Sequence, residues 1–269
     1  MSGPGHAGPG DEGALAVLLA KIERRGLRVS SYKEPCLKRR LAVRMRARGV
    51  HTYLDYARVL DLEPDEFDQL LDALTINVTK FFRNTETYAA LREKVLPELA
   101  AKSGTVAAWS AGCASGEEPY TLAILFDQAS PRGRVRIDAS DLDPGALAFM
   151  GRGEYPASAV EDVPPETLRA YFSPGPPFRV NDKVRRMVRP VRHDLTQDQA
   201  PEPPYHLVVC RNVVIYFDRP TQERLFETFY DALVPGGWLL LGKVETLFGR
   251  SRSLFKTVDA RERLFRKPA

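Results

Sequence analysis

The chain has 269 residues, 43 % of them hydrophobic and 28 % charged, ordinary globular proportions that exclude a fibrous or disordered protein and suffice for one large domain or two. Its three cysteines, Cys36, Cys113 and Cys210, lie far apart with no C-x-x-C pair, which excludes a disulfide framework or zinc finger and points to a reducing, cytoplasmic setting with no metal. The net charge is only +4, yet the segment from Lys21 to Arg48 carries eleven Lys or Arg against Glu23 and Glu34, a local +9 that attracts an acidic partner: nucleic acid, lipid headgroups or an acidic protein surface.

Residues 1–13, rich in Gly and Pro, read as a flexible tail. A helical domain is expected over 14–75, with apolar faces at Leu15, Leu18, Leu19 and Ile22, at Leu37, Leu41 and Met45, and at Phe67, Leu70, Leu71 and Leu74. Pro35 suits the first turn of the second helix and Gly49 its end. On that helix Arg40, Arg44 and Arg48 recur at four-residue steps, either a solvated face or a docking surface for an acidic partner.

Residues 76–104 read as a linker containing a helix over Leu91–Ala101. From 105 to 269 short apolar strands alternate with helices, the signature of an α/β domain built on a mainly parallel sheet. Expected strands are Val106–Trp109, Val135–Ala139, Leu207–Cys210 and Trp238–Gly242. Such apolar runs are far short of the ~20 residues of a membrane span, and the N-terminus lacks a signal-peptide pattern. The alternation breaks over 151–192, where Phe178–Val180 and Val184–Val191 suggest a small antiparallel excursion.

The chemistry gathers at strand ends. After the first strand comes Gly112-Cys-Ala-Ser-Gly-Glu-Glu-Pro-Tyr120, a small-residue turn opening a helix, where α/β sheets seat ligands. Glu117 and Glu118 stand where a phosphate would sit, which argues against a nucleotide triphosphate or dinucleotide; helix-dipole complementation accounts for one of the two, so a single glutamate is expected to face the ligand. Asp141 ends the second strand, 25 residues past Gly116, placed to accept ribose hydroxyls, while Asp143 suits an N-cap. A ribose acid without a phosphate cradle fits S-adenosylmethionine.

The runs Asn77-Val-Thr-Lys-Phe-Phe-Arg83, Gly112–Tyr120, Ser140-Asp-Leu-Asp143 and Cys210-Arg-Asn-Val-Val-Ile-Tyr-Phe217 together resemble the CheR chemotaxis receptor glutamate methyltransferases, in family order from about Ala14 to Phe265. The resemblance implies a Rossmann-like class I methyltransferase sheet, a small N-terminal all-α domain for receptor docking and a small antiparallel β subdomain. Carried over by position, it implies that Asn77, Thr79 and Arg83, Gly112, Glu117 or Glu118, Asp141, Asp194, Leu195, Arg211 and Asn212 contact the cofactor. The sequence departs from the family at Gly242-Lys-Val-Glu245, where Gly-His-Ser-Glu is common, and at Ala114-Ser115, where Ser-Thr is frequent.

The implied reaction passes a methyl group from S-adenosylmethionine to receptor glutamates, giving methyl esters and S-adenosylhomocysteine. Glutamate is already ionised at neutral pH, so alignment and exclusion of water replace a general base. Arg83 would orient the carboxylate through a forked contact, and Tyr216 would donate its hydroxyl to substrate or cofactor, unless it is a core tyrosine. Arg40, Arg44 and Arg48 would dock the glutamate-rich cytoplasmic helices of a chemoreceptor. A monomer is the default. Two alternatives stand beside this reading: a nucleic-acid methyltransferase, although the post-strand motif lacks the Asn/Asp-Pro-Pro-aromatic segment used on base amines, and a silent adaptor that senses the cofactor.

Overall fold

The computed structural model describes residues 9–75 and 79–269. Contacts divide the chain into two compact units, residues 1–76 with 216–218 and residues 77–215 with 219–269.

The first unit consists of α1 (Pro9–Arg24), α2 (Glu34–Ala47), α3 (Tyr53–Leu62) and α4 (Pro64–Thr75). α1 starts inside the stretch read as tail. Its Leu15, Leu18 and Ile22, with Leu37, Leu41 and Met45 of α2, Tyr56 and Leu60 of α3 and Leu70, Leu71 and Leu74 of α4, form the buried faces, as their 3.6-residue period requires. α2 has Pro35 in its first turn and closes in a Schellman motif: Gly49, at φ +66°, donates to the Arg46 carbonyl and Val50 to that of Met45. α3 is capped by Thr52, whose hydroxyl accepts the Asp55 N–H at 3.1 Å. The tripeptide Tyr216–Asp218 joins this unit through its backbone, Lys33 N–H donating to Tyr216 O at 2.9 Å and Asp218 N–H to Ser31 O at 2.9 Å.

The second unit opens with α5 (Thr85–Lys94) and α6 (Leu96–Ala100), two helices where one was expected. Pro97 lies in the first turn of α6, and its missing N–H interrupts the ladder. There follow β1 (Val106–Ala111), α7 (Glu117–Gln128), β2 (Val135–Asp141), α8 (Pro144–Arg152), β3 (Glu154–Tyr155), α9 (Pro165–Tyr171), β4 (Phe178–Arg179), α10 (Asp182–Arg185), β5 (Val188–Arg192), β6 (Tyr205–Cys210), α11 (Arg219–Ala232), β7 (Leu233–Leu241), α12 (Ser251–Leu254), β8 (Lys256–Asp259) and β9 (Leu264–Arg266). The seven-stranded sheet runs β5-β2-β1-β6-β7-β9-β8. Its first five strands are parallel, and the C-terminal β8–β9 pair adds on antiparallel. This is the α/β class I methyltransferase fold.

The excursion is smaller than expected. Within it β3 and β4 pair antiparallel, two residues each, and Phe172 forms an antiparallel bridge to Val180, while β5 joins the main sheet alongside β2. As an edge strand β5 need not be apolar, so Arg189, Pro190 and Arg192 stand exposed on it and break the apolar run that identifies the inner strands. Phe81 and Phe82 lie in the core of this unit, Phe81 edge-on to Tyr155 and Phe172.

Because β1 leads outward to β2 and β5 on one side while β6 and β7 continue on the other, the order reverses between β1 and β6. The crevice beyond the carboxyl ends of those two strands is where such a sheet binds its ligand.

Candidate active site

Two turns close on this crevice. The first follows β1: Gly112 and Gly116 have φ of +79° and +96°, conformations that favour glycine. A β-carbon on Gly112 would lie 2.5 Å from Val213 Cγ2, and one on Gly116 2.2 Å from Met150 Cγ, so the turn also has no room for larger residues. Ala114, likewise at positive φ, points its N–H at Asp141 Oδ2, 2.8 Å away. The other Asp141 oxygen accepts the Asp143 N–H at 3.0 Å. Each oxygen therefore keeps acceptor capacity for a hydroxyl. Burial raises the pKa of Asp141 and these N–H bonds oppose the rise. Asp143 caps α8, accepting from Gly145 and Ala146, as expected.

The two glutamates diverge. Glu117 folds back on its own turn, accepting from Ser115 Oγ at 2.7 Å. Glu118 reaches between the ends of β1 and β6, accepting from Ser110 Oγ at 2.8 Å and facing Arg211 Nη1 at 3.4 Å. Burial raises the pKa of Glu118, against the pull of Arg211 and of Arg83. Glu118 thus occupies the crevice side.

The second turn follows β6. Arg211 is enclosed: Nη1 donates to Tyr88 OH at 3.0 Å, and Nη2 to the Arg83 carbonyl and to Asn84 Oδ1, each at 2.9 Å, while its buried Nε has no partner among the described residues. The guanidinium holds the turn that presents Arg83, whose neighbours Phe82 and Asn84 both have positive φ, a strained conformation that persists only where the surroundings over-determine it. Thr121 Oγ1 pins the same turn from α7 by accepting the Phe82 N–H at 3.2 Å.

Other expected residues are distributed as follows. The Asp194 carboxylate braces its own loop, accepting from Thr196 N and Oγ1 and from Gln197 Nε2, and both Asp194 and Leu195 are half-buried. That loop adjoins Asp141 through His193 N–H to Asp141 O, 2.9 Å. Asn212 is half-buried at φ +61°. Thr79 is half-buried, and Asn77 lies outside the described residues. Tyr216 belongs to the helical unit and is half-buried. In that unit Arg40 is half-buried, Arg44 forks onto Glu66 at 2.9 and 2.7 Å, and Arg48 pairs with Glu63. Two residues were assigned no role from the sequence: Tyr88, indistinguishable from any core tyrosine, and Glu245, whose signal was that it keeps the glutamate of the family's Gly-His-Ser-Glu segment.

The crevice therefore offers buried carboxylates, a positioned arginine and close backbone approach, an arrangement suited to a ligand with hydroxyls and an ammonium group. Two family models match the sequence, the CheR methyltransferase SAM-binding domain over residues 77–264 and the CheR methyltransferase all-alpha domain over residues 18–75. The chain belongs to the CheR methyltransferase family. It is 34 % identical over 224 residues to the chemotaxis protein methyltransferase of Listeria monocytogenes, covering 82 % of this chain and 85 % of that one. It is 31 % identical over 246 residues to a probable chemotaxis protein methyltransferase of Rhizobium etli, covering 87 % and 92 %. It is 33 % identical over 244 residues to chemotaxis protein methyltransferase 2 of Pseudomonas aeruginosa, covering 87 % of each.

As a CheR-family member it is an S-adenosylmethionine-dependent methyltransferase, and the crevice fits that cofactor. Asp141 keeps acceptor capacity on both oxygens, and Glu118 presents an acid beside the switch point.

Proposed function

We propose that the enzyme methylates glutamate side chains of chemoreceptors, forming methyl esters and S-adenosylhomocysteine. The observation that carries this reading is the match of both CheR domains in one chain: the crevice serves the cofactor, and the helical unit adds a cationic surface suited to an acidic protein acceptor. S-adenosylmethionine supplies an activated methyl group; as the C–O ester bond forms, the C–S bond breaks.

The acceptor carboxylate needs no deprotonation at neutral pH. Arg83, held by Arg211 and flanked by two left-handed residues, orients that carboxylate in line with the methyl group. Arg83 lowers the nucleophile's charge density, so its contribution is alignment. No step is assigned to Tyr216.

Docking falls to exposed cations on α2. Arg39 and Arg46 are exposed and make no ion pair among the described residues, whereas Arg44 serves Glu66. No described helix is long and apolar enough to cross a membrane, and we place the reaction on the cytoplasmic helices of the receptor.

The test is transfer of label from methyl-labelled cofactor to a receptor cytoplasmic fragment. Label released as methanol by mild base supports the ester; an Arg83→Ala variant is expected to lose activity by about 100-fold, on the order of 2.7 kcal/mol. Base-stable label, label on nucleic acid, or cofactor binding without transfer would each refute the proposal.

A further inference from the structure

Beyond the crevice's expected residues, one buried carboxylate links both of the strands that carry its far wall. Glu245 is 2 % exposed, and among the described residues its hydrogen-bond partners are backbone N–H groups. Its Oε2 accepts the Gly242 N–H at 2.6 Å and the Asn212 N–H at 3.0 Å, and its Oε1 accepts the Val213 N–H at 2.9 Å. Gly242 follows β7, and Asn212 and Val213 lie in the turn after β6. Neighbouring parallel strands stop pairing where their ends part, which leaves buried N–H groups that need an acceptor. Glu245 is that acceptor for both ends at once.

What it holds matters to the crevice. Val213 packs so closely on the turn after β1 that a β-carbon at Gly112 would come within 2.5 Å of it. Asn212 is kept at φ +61°, which a free turn would relinquish. Gly242 is likewise confined: a β-carbon there would meet Glu245 Oε2 at 2.7 Å and Asn212 N at 2.8 Å. Lys243 and Val244 face outward at this bend, Lys243 toward Glu86 and Glu262 and Val244 exposed. Of the segment 242–245, Glu245 is the residue aimed inward.

We infer that Glu245 is a positioning residue for cofactor binding: its carboxylate clamps the turn 211–215 against Gly112 and so sets the width of the crevice. Glutamine at this place would turn an NH2 group toward one or more of the backbone N–H donors of Gly242, Asn212, Val213 and Ile215 and open the clamp. The inference rests on the cofactor assignment and is independent of which acceptor is methylated.

The experiment pairs hydrogen exchange with calorimetry on the full chain, using S-adenosylhomocysteine as the probe. In Glu245→Gln, exchange at the amides of Asn212, Val213 and Gly242 is expected to accelerate at least tenfold while the amides of Trp109–Ala111 keep their protection, and the Kd for S-adenosylhomocysteine is expected to rise tenfold or more per folded molecule. Gly242→Ala, which pushes the same clamp apart without removing a charge, carries the same expectation and decides the matter if the first variant fails to fold. Faster exchange with affinity unchanged would reduce Glu245 to a structural role, and unchanged exchange would show that there is no clamp; either overturns the inference. Loss of receptor methylation with S-adenosylhomocysteine binding intact would bear on the acceptor alone.

Discussion

Asp141 offers two carboxylate oxygens that each already accept one backbone N–H, so an amide in its place must turn its NH2 group toward Ala114 or Asp143. Asp141→Asn should therefore lose a charge-assisted contact to the ligand and strain the turn. With about 1.5–3 kcal/mol for a hydrogen bond to a charged group, calorimetry should find S-adenosylhomocysteine bound roughly 10- to 100-fold more weakly. Burial raises the pKa of Asp141 and of Glu118, and the ligand's donors need the ionised forms. Affinity in the wild type should accordingly fall as pH drops from neutrality through those raised values, and Asp141→Asn should show a shallower decline. Arg211 calls for a different measurement, because it acts on protein groups. Its removal in Arg211→Ala strands Glu118, the Arg83 carbonyl and Asn84 Oδ1 in a buried site, at a cost on the order of 3–5 kcal/mol in denaturant unfolding. Arg211→Lys keeps the charge, lacks the fork and should lose less.

α2 shows how far a period can be read and where it stops. The stripe Leu37, Leu41 and Met45 is buried as its spacing demands, and the same step sets Arg40, Arg44 and Arg48 in one row. Nothing local reveals that Glu66, on α4, lies over that row, accepting from Arg44 and from Tyr56 OH at 2.7 Å. Burial alone would raise the pKa of Glu66, but the hydrogen bonds from Arg44 and Tyr56 bring it below its ordinary 4.5. The unfolded chain thus binds this proton more readily than the folded one. The contribution to stability is complete above pH 4.5 and is lost as pH falls through the lower folded value. Glu66→Gln should flatten that acid limb and cost about 3 kcal/mol at neutral pH, measured by denaturant unfolding across pH 3–7. The same contrast runs through the second unit. Inner strands are legible because burial on both faces makes them apolar runs, and the Gly112–Glu118 turn because its glycines and acids are unusual residues for a strand–helix junction. β5 is obscured by the arginines and proline an edge tolerates, and Glu245 because backbone N–H partners leave no mark in residue type.

Across the whole molecule, charge and burial separate the two binding events. The carboxylates of the crevice are enclosed, whereas the excess of positive charge lies at the surface of the helical unit, with Arg24, Arg28, Arg39 and Arg46 all exposed. Salt screens exposed charges over a Debye length that shrinks from about 10 Å at 0.1 M to about 3 Å at 1 M and leaves buried contacts largely unaffected. Raising ionic strength should therefore increase the KM for a chemoreceptor fragment severalfold while the Kd for S-adenosylhomocysteine stays nearly constant. Arg39→Glu with Arg46→Glu should raise that KM at low salt and remove most of its salt dependence. Neither side chain forms an ion pair among the described residues, so the melting temperature should hardly move. Arg44→Glu is the contrasting case: it sets two carboxylates against each other beside Tyr56 and should lower stability before docking can be measured. Equal salt dependence for receptor and cofactor product, or a double variant with unaltered KM, would show that the acidic acceptor engages some other surface. The local +9 would then act only as a solubilising field.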